Sequence, residues 1–174
     1  MLCSRSYLAS PLDRIAVRIE SEQLSGFGRS SHAYLCSRAV LPSMIERRSG
    51  SIVSIGSVTG KRPLLHRSAY AASKLGLVGL CRTLAVDAGG YGIRTNIVSP
   101  GYVEGERIEW VIARQADAQQ RTLDAVRADA ESETALGRFV RPEEVADAVV
   151  FLAGRRSRAI TGIDINVAAG LVMY

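Results

Sequence analysis

The chain has 174 residues, of which 47% are apolar and 22% charged, a composition typical of one soluble globular domain with its own core. No apolar run approaches the roughly 18 residues needed to span a bilayer, and the N-terminus lacks the apolar stretch of a secretory signal, so we expect a cytoplasmic protein without membrane contact. The formal net charge of +5 comes mostly from arginines scattered along the sequence, with no interleaved aromatic residues, which argues against a nucleic-acid partner.

The three cysteines, Cys3, Cys36 and Cys81, are far apart and match no metal-ligand spacing, so no metal site is predicted. Cys36 and Cys81 fall within apolar helical patterns. We expect both to be buried thiols that pack as small hydrophobic groups.

Residues 1–28 differ in character from the rest of the chain. They are rich in Ser and Arg and contain one short alternating stretch, residues 14–19. We expect a poorly ordered segment with at most one weak strand there, and one folded domain over residues 29–174.

Helix and strand patterns alternate along this domain. In chain order they are a helix over 31–48, a strand over 51–57, a helix over 68–88, a strand over 93–98, a polar helical region over 105–132, a helix beginning at Pro142 and ending near Gly154, and a strand over 161–167. Such alternation favours an α/β fold with a parallel sheet of three strands.

Two of these helical segments carry more specific expectations. The helix over 68–88 is apolar nearly all round, so it needs two packing partners, and a sheet on one side with a neighbouring subunit on the other would supply them. The region over 105–132 is mostly polar and rich in Arg, Asp and Ala, and we expect Trp110 to be its one large apolar anchor.

The candidate chemistry begins with Tyr70 and Lys74, which are four residues apart and therefore share one face of the helix. An ammonium group beside a phenol favours the phenolate, which suits proton transfer. Taken alone, the same spacing also fits a surface tyrosine beside a solvated lysine with no function. Likewise, Ser57 alone fits an ordinary turn serine.

The positions of these residues relative to the strands favour a functional interpretation. Ser57 lies at the carboxyl end of a predicted strand and precedes Tyr70 by thirteen residues, while Asn96 and Pro100-Gly101 are predicted at the end of the next strand. Because binding sites of open parallel sheets form outside the carboxyl ends of the strands, we expect all these elements at one edge.

Five segments together resemble the short-chain dehydrogenase/reductase family over about residues 30–170. They are AYLCSRAVLPSMIERRSG (33–50), SIVSIGSVTGKRPLLHRSAYAASK (51–74), GIRTNIVSPGYV (92–103) and ALGRFVRPEEVADAVVFLAG with ITGIDINV (135–154 and 160–167). The resemblance implies part of a Rossmann-like, doubly wound sheet and an oxidoreductase that uses NAD or NADP on a carbonyl/alcohol pair. It also implies a homo-oligomer, a dimer or tetramer, with a small-molecule substrate.

The same resemblance implies roles for individual residues. Tyr70 would be the general acid/base, and Lys74 would assist it and bind the nicotinamide ribose. Ser57 would bind and polarise the substrate oxygen together with Tyr70. Residues Pro100, Gly101 and Val103 would face the nicotinamide.

The front half of the family pattern is not found in the sequence. There is no TGxxxGxG turn for the pyrophosphate and no NNAG segment, and Gly26-Phe27-Gly28 is better interpreted as a loop. Arg29 lies where the family has a helix asparagine, and Gly105 where a threonine is common. Residues 168–170 replace the usual Asp-Gly-Gly turn. The choice between NAD and NADP therefore stays open.

Two explanations fit this pattern. The chain is either a truncated or frame-shifted reading of an ordinary dehydrogenase, or an inactive remnant that only binds sister subunits. We expect the former, because without the front half the serine strand would become an exposed sheet edge, which promotes aggregation.

Overall fold

The computed structural model describes residues 28–65 and 67–174, so the predictions made for residues 1–27 lie outside the described part of the chain. Five helices and three strands are present in this part. They are α1 (Gly28–Glu46), β1 (Gly50–Ile55), α2 (Ser68–Gly89), β2 (Ile93–Pro100), α3 (Glu106–Gln119), α4 (Leu123–Ser132), α5 (Pro142–Ala153) and β3 (Asp164–Val167). Two short 3-10 helices cover Val58–Gly60 and Arg155–Ser157.

The three strands form one parallel sheet in the order β1-β2-β3. The register pairs Gly50 with Ile93 and Ile55 with Val98, and β3 joins the far half of β2, where Pro100 pairs with Val167. The prediction of a three-stranded parallel sheet in an α/β fold is confirmed. Central β2 is almost wholly buried, whereas β1, paired with β2 alone among the described residues, is half-buried to exposed.

Helix α2 packs one face on β2, and this packing forms the main core. The buried residues of α2 recur at helical spacing, and they contact β2 at Ile93 and Ile97, which are 1% and 0% exposed. The residues concerned on α2 are Leu77, Cys81, Leu84 and Ala88. The opposite face of α2 keeps Leu75 and Val86 exposed.

Helices α3 and α4 pack against each other around a separate apolar cluster. It contains Ile108, Ile112, Ala116, Val126 and Phe139. The prediction that Trp110 anchors this region is wrong. Because Ile108, Ile112 and Ala116 lie four residues apart on the inner face, Trp110 falls on the outer face, 49% exposed between the guanidinium groups of two arginines of α3.

The expectation of two buried thiols is half right. Cys81 is buried against β2, and burial raises the pKa of its thiol. Cys36 is exposed, because the buried face of α1 runs through Tyr34, Ser37 and Leu41. No helix in the described part of the chain is long and apolar enough to cross a membrane.

Candidate active site

The site begins where β1 ends and the chain turns into Ser57. The Gly56 N–H donates to the carbonyl of Val98 at 2.7 Å, which holds the turn against β2. A Cβ on Gly56 would lie 2.5 Å from Ser99 Oγ and 2.7 Å from Ile97 Cγ2, so only glycine allows this approach. Ser57 therefore lies at the carboxyl edge of the sheet, as predicted.

Ser57 also has a local structural role. It caps the 3-10 helix Val58–Gly60, and its Oγ accepts a hydrogen bond from the Thr59 N–H at 3.2 Å. The same hydroxyl donates to Thr59 Oγ1 at 3.1 Å. Thr59 is itself buried, at 8% exposure, and the sequence analysis did not single it out. Its hydroxyl fixes the orientation of the Ser57 side chain.

Tyr70 and Lys74 lie in the first turns of α2, which pack against the loop that carries Ser57. Gly60 allows this close packing, since a Cβ there would lie 2.9 Å from Leu75 Cγ. The Lys74 ammonium donates to the carbonyl of Ile55 at 2.9 Å and lies 5.8 Å from the centre of the Tyr70 ring. One hydrogen bond thus ties the Tyr70–Lys74 pair to the end of the strand that leads to Ser57.

The end of β2 forms the neighbouring wall of the site. The Gly101 N–H donates to Val167 at 3.0 Å, and Val103 makes a parallel bridge with Val140. A small cavity of about 60 Å³ has Ser57 and Gly101 in its lining. The structure therefore places Pro100, Gly101 and Val103 at the edge where Ser57 lies.

Asn96 was expected at this edge but lies elsewhere. Strand β2 continues to Pro100, which leaves Asn96 in the middle of the strand at 1% exposure. Its amide donates to the carbonyl of Ile160 and accepts from the Ile163 N–H. The residue fixes the approach to β3, and it is not part of the site.

A polar cluster beside Ser57 was missed by the sequence analysis. Glu133 accepts hydrogen bonds at 3.0 Å from both Arg62 and Tyr102, and Arg62 and Tyr102 line the 60 Å³ cavity. The hydrogen bond from Arg62 lowers the pKa of Glu133 and raises the pKa of Arg62. Burial, together with the Glu133 carboxylate, raises the pKa of Tyr102. The three residues are far apart in sequence, so no local spacing could reveal them.

The donor groups at this edge fit one end of a nicotinamide dinucleotide. Lys74 offers an ammonium to ribose hydroxyls, and Ser57 and Tyr70 offer hydroxyls to a substrate oxygen. A pyrophosphate needs a glycine-rich turn at a helix N-terminus, and the sequence contains no such TGxxxGxG turn. The described residues therefore suit the nicotinamide end and offer no such turn for the pyrophosphate.

Comparison with known proteins agrees with this geometry. The sequence profile of the family described as enoyl-(acyl carrier protein) reductase matches residues 29–172. The chain belongs to the short-chain dehydrogenase/reductase family. This family assignment covers the strand end with Ser57, the helix with Tyr70 and Lys74, and the Pro100-Gly101 turn in one continuous match.

Relatives of the chain are oxidoreductases. It is 39% identical to the 3-oxoacyl-[acyl-carrier-protein] reductase of Thermotoga maritima over 77% of this chain and 50% of that protein. Sorbitol-6-phosphate 2-dehydrogenase from Erwinia amylovora superposes with a TM-score of 0.80 at 30% identity, over 87% of this chain and 62% of that one. An actinorhodin polyketide ketoreductase variant solved with NADPH superposes with a TM-score of 0.70 at 35% identity, over 75% of this chain and 50% of that one.

These comparisons confirm that the sheet is part of a Rossmann-type fold. They also show that the chain spans about half the length of the curated relatives it matches.

Proposed function

We propose that this chain is the catalytic portion of an NAD- or NADP-dependent oxidoreductase that interconverts a carbonyl and an alcohol. The observation that carries the proposal is the hydrogen bond from Lys74 to Ile55, which ties the Tyr70–Lys74 helix to the strand that leads to Ser57. Family members carry a serine and a Tyr-x-x-x-Lys pair in the same order, and this chain matches their profile throughout that stretch.

Each of the three side chains has one task in this proposal. Tyr70 passes a proton to or from the reacting oxygen, and in the described part of the chain its hydroxyl has no hydrogen-bond partner, so it is available to a substrate. Lys74 binds the nicotinamide ribose in this proposal and holds the Tyr70 helix against the end of β1. Ser57 donates to the substrate oxygen once its proton turns from Thr59 to the ligand.

The cofactor supplies the hydride, and the protein supplies orientation and proton transfer. Pro100, Gly101 and Val103 form the wall that faces the nicotinamide in this proposal. The ketoreductase solved with NADPH supports a nicotinamide cofactor for the family. It does not decide between NAD and NADP for this chain.

The described residues offer no glycine-rich turn for the pyrophosphate, so binding of the adenosine end of the cofactor requires a further element. We propose that a glycine-rich front half completes the sheet at the open edge of β1, as a part of the same enzyme. We further propose a cytoplasmic homo-oligomer that acts on a small-molecule substrate. The oligomer would cover the apolar side chains that α1 and α2 expose, which are Leu35, Val40, Leu75 and Val86.

A chimera tests this proposal. The front half of the Thermotoga maritima reductase is fused before residue 29, and oxidation of NADPH and NADH is followed with a panel of small ketones and 3-oxoacyl thioesters. We expect turnover from the chimera and little or none from the 174-residue chain alone. A chimera that folds, as judged by circular dichroism and NADPH binding, but turns over no member of the panel would favour the inactive remnant.

A further inference from the structure

A second surface lies at the opposite edge of the sheet, where β1 and β2 begin. It is an open groove of about 770 Å³ between the ends of the helices and the first residues of the strands. Among the residues that the structure describes, no acidic residue lines the groove, and four arginines do: Arg47, Arg94, Arg155 and Arg158. The arginines that look scattered in the sequence are thus brought together by the fold, far from Ser57.

One of these arginines is part of the framework. Arg94 donates to the carbonyls at the end of α5, including Leu152 at 2.8 Å and Gly154 at 3.1 Å. Cations are favoured there by the partial negative charge at the carboxyl end of a helix. The position of Arg94 is therefore explained by its contacts with the end of α5.

Arg155 and Arg158 have no such explanation. Both are exposed, and within the described part of the chain neither makes a hydrogen bond or an ion pair. The turn that carries them is nevertheless rigid. Ser157, which is 0% exposed, accepts from Arg94 at 3.0 Å, and its hydroxyl is within 2.8–3.0 Å of the carbonyls of Phe151, Leu152 and Gly154.

The turn therefore holds the backbone of two arginines without side-chain partners at the rim of a groove that Arg47 also lines. Arg47 Nε donates a hydrogen bond to the carbonyl of Ser49, and its Nη1 donates to Ser43 Oγ. The Nη2 group of Arg47 therefore has no hydrogen-bond partner among the described residues. Holding several like charges together without a counter-ion is unfavourable, and a bound anion would relieve that repulsion. Arginine also matches phosphate oxygens with paired, charge-assisted hydrogen bonds.

We infer that this groove, lined by Arg47, Arg155 and Arg158 on the base formed by Arg94, binds a small molecule carrying two or more linked phosphate groups. A multiply charged anion suits the groove best, because three arginines with free guanidinium donors line it. The site is separate from the proposed oxidoreductase site and does not depend on it.

Inorganic pyrophosphate is the probe, titrated calorimetrically into the full 174-residue chain at low ionic strength. The variant R155A/R158A removes the unpaired arginines. Its matched control, R38A/R107A, removes two exposed arginines that do not line the groove. All four side chains are on the surface, so the fold should be retained.

We expect one pyrophosphate per chain, with affinity about tenfold weaker in R155A/R158A and unchanged in the control, since each lost arginine removes charge-assisted hydrogen bonds. We also expect pyrophosphate, but not chloride at the same ionic strength, to raise the midpoint of thermal unfolding of the wild type. The absence of binding would overturn the inference. Equal weakening in both double variants would overturn it as well, because it would show diffuse attraction to net charge.

Discussion

Lys61 and Asp164 form a largely buried ion pair. Their side chains are 15% and 6% exposed, and Lys61 Nζ lies 2.9 Å from Asp164 Oδ2. Lys61 also donates a hydrogen bond to Asn166 Oδ1. The amide of Asn166 in turn donates to the carbonyl of Tyr174, which links β3 to the C-terminal residue. Neither Asp164 oxygen makes an aligned hydrogen bond, so the ammonium charge is what compensates the carboxylate.

Removing one member of this pair should therefore be costly. We expect Lys61→Met to lower the free energy of unfolding by about 3–5 kcal/mol, because it leaves a buried carboxylate without a counter-charge. Urea denaturation measures the change. The double variant Lys61→Met/Asp164→Leu should recover most of the loss. A loss below about 1 kcal/mol in the single variant would mean that water already compensates Asp164.

Glu144 gives the stability of α5 a pH dependence. Two hydrogen bonds from Arg138 and one from the Arg141 N–H lower the pKa of Glu144 from 4.5 to about 2. A carboxyl whose pKa falls on folding stabilises the folded state above its unfolded pKa. That stabilisation is lost as the pH falls through its folded pKa.

We therefore expect Glu144→Gln to be less stable than the wild type at neutral pH. The difference should shrink as the pH falls from about 4.5 to about 2, measured by urea denaturation at a series of pH values. Glu143→Gln, at the exposed neighbouring position, is the control and should show little of this dependence. A difference between Glu144→Gln and wild type that is constant over this pH range would contradict the assignment.

At the scale of the elements, the α3–α4 pair offers a direct comparison of a buried and an exposed apolar residue. Ile112 is 2% exposed in the cluster between the helices, whereas Trp110 is 49% exposed between two arginines. We expect Ile112→Ala to cost about 2–4 kcal/mol of unfolding free energy through the cavity it leaves.

Trp110→Ala should cost less than about 1 kcal/mol, because the ring is half exposed and lies against two arginine side chains on the surface. Chemical denaturation of the two variants side by side decides the matter. A larger loss of unfolding free energy for Trp110→Ala than for Ile112→Ala would show that Trp110 does anchor this region.

The elements were predictable where local pattern decides them. The parallel order of β1, β2 and β3 follows from alternation of strands and helices, and the position of Ser57 follows from the end of a strand. The Trp110 prediction was wrong because the position of a residue around the helix axis, and not its size, determines whether it faces the α3–α4 cluster. The Arg62–Tyr102–Glu133 cluster and the arginine groove were not predictable, since each joins residues that only tertiary packing brings together.

At the scale of the whole molecule, α1 and α2 expose an apolar face that a second copy of the chain could cover. Leu75 and Val86 lie three turns apart on one side of α2, and Leu35 and Val40 are exposed on α1. If sister subunits associate there, Val86→Glu should shift the chain towards the monomer in analytical ultracentrifugation, because it places a charge inside the interface.

The control for this experiment is Met173→Glu, which adds the same charge at a side chain that is exposed to a similar extent near the C-terminus. It should leave the sedimentation profile unchanged. Association that both variants reduce equally would mean that net charge, and not the α1–α2 face, governs it.

The central claim is that Tyr70 transfers the proton in a nicotinamide-dependent reaction. Tyr70→Phe in the active chimera tests it most directly, with Tyr91→Phe as the control, since Tyr91 packs at the far end of α2 against Arg48. We expect Tyr70→Phe to lower kcat by at least about 100-fold while NADPH binding persists, as loss of a general acid should do. Tyr91→Phe should remain active. Full turnover by the Tyr70→Phe chimera would contradict the proposed mechanism.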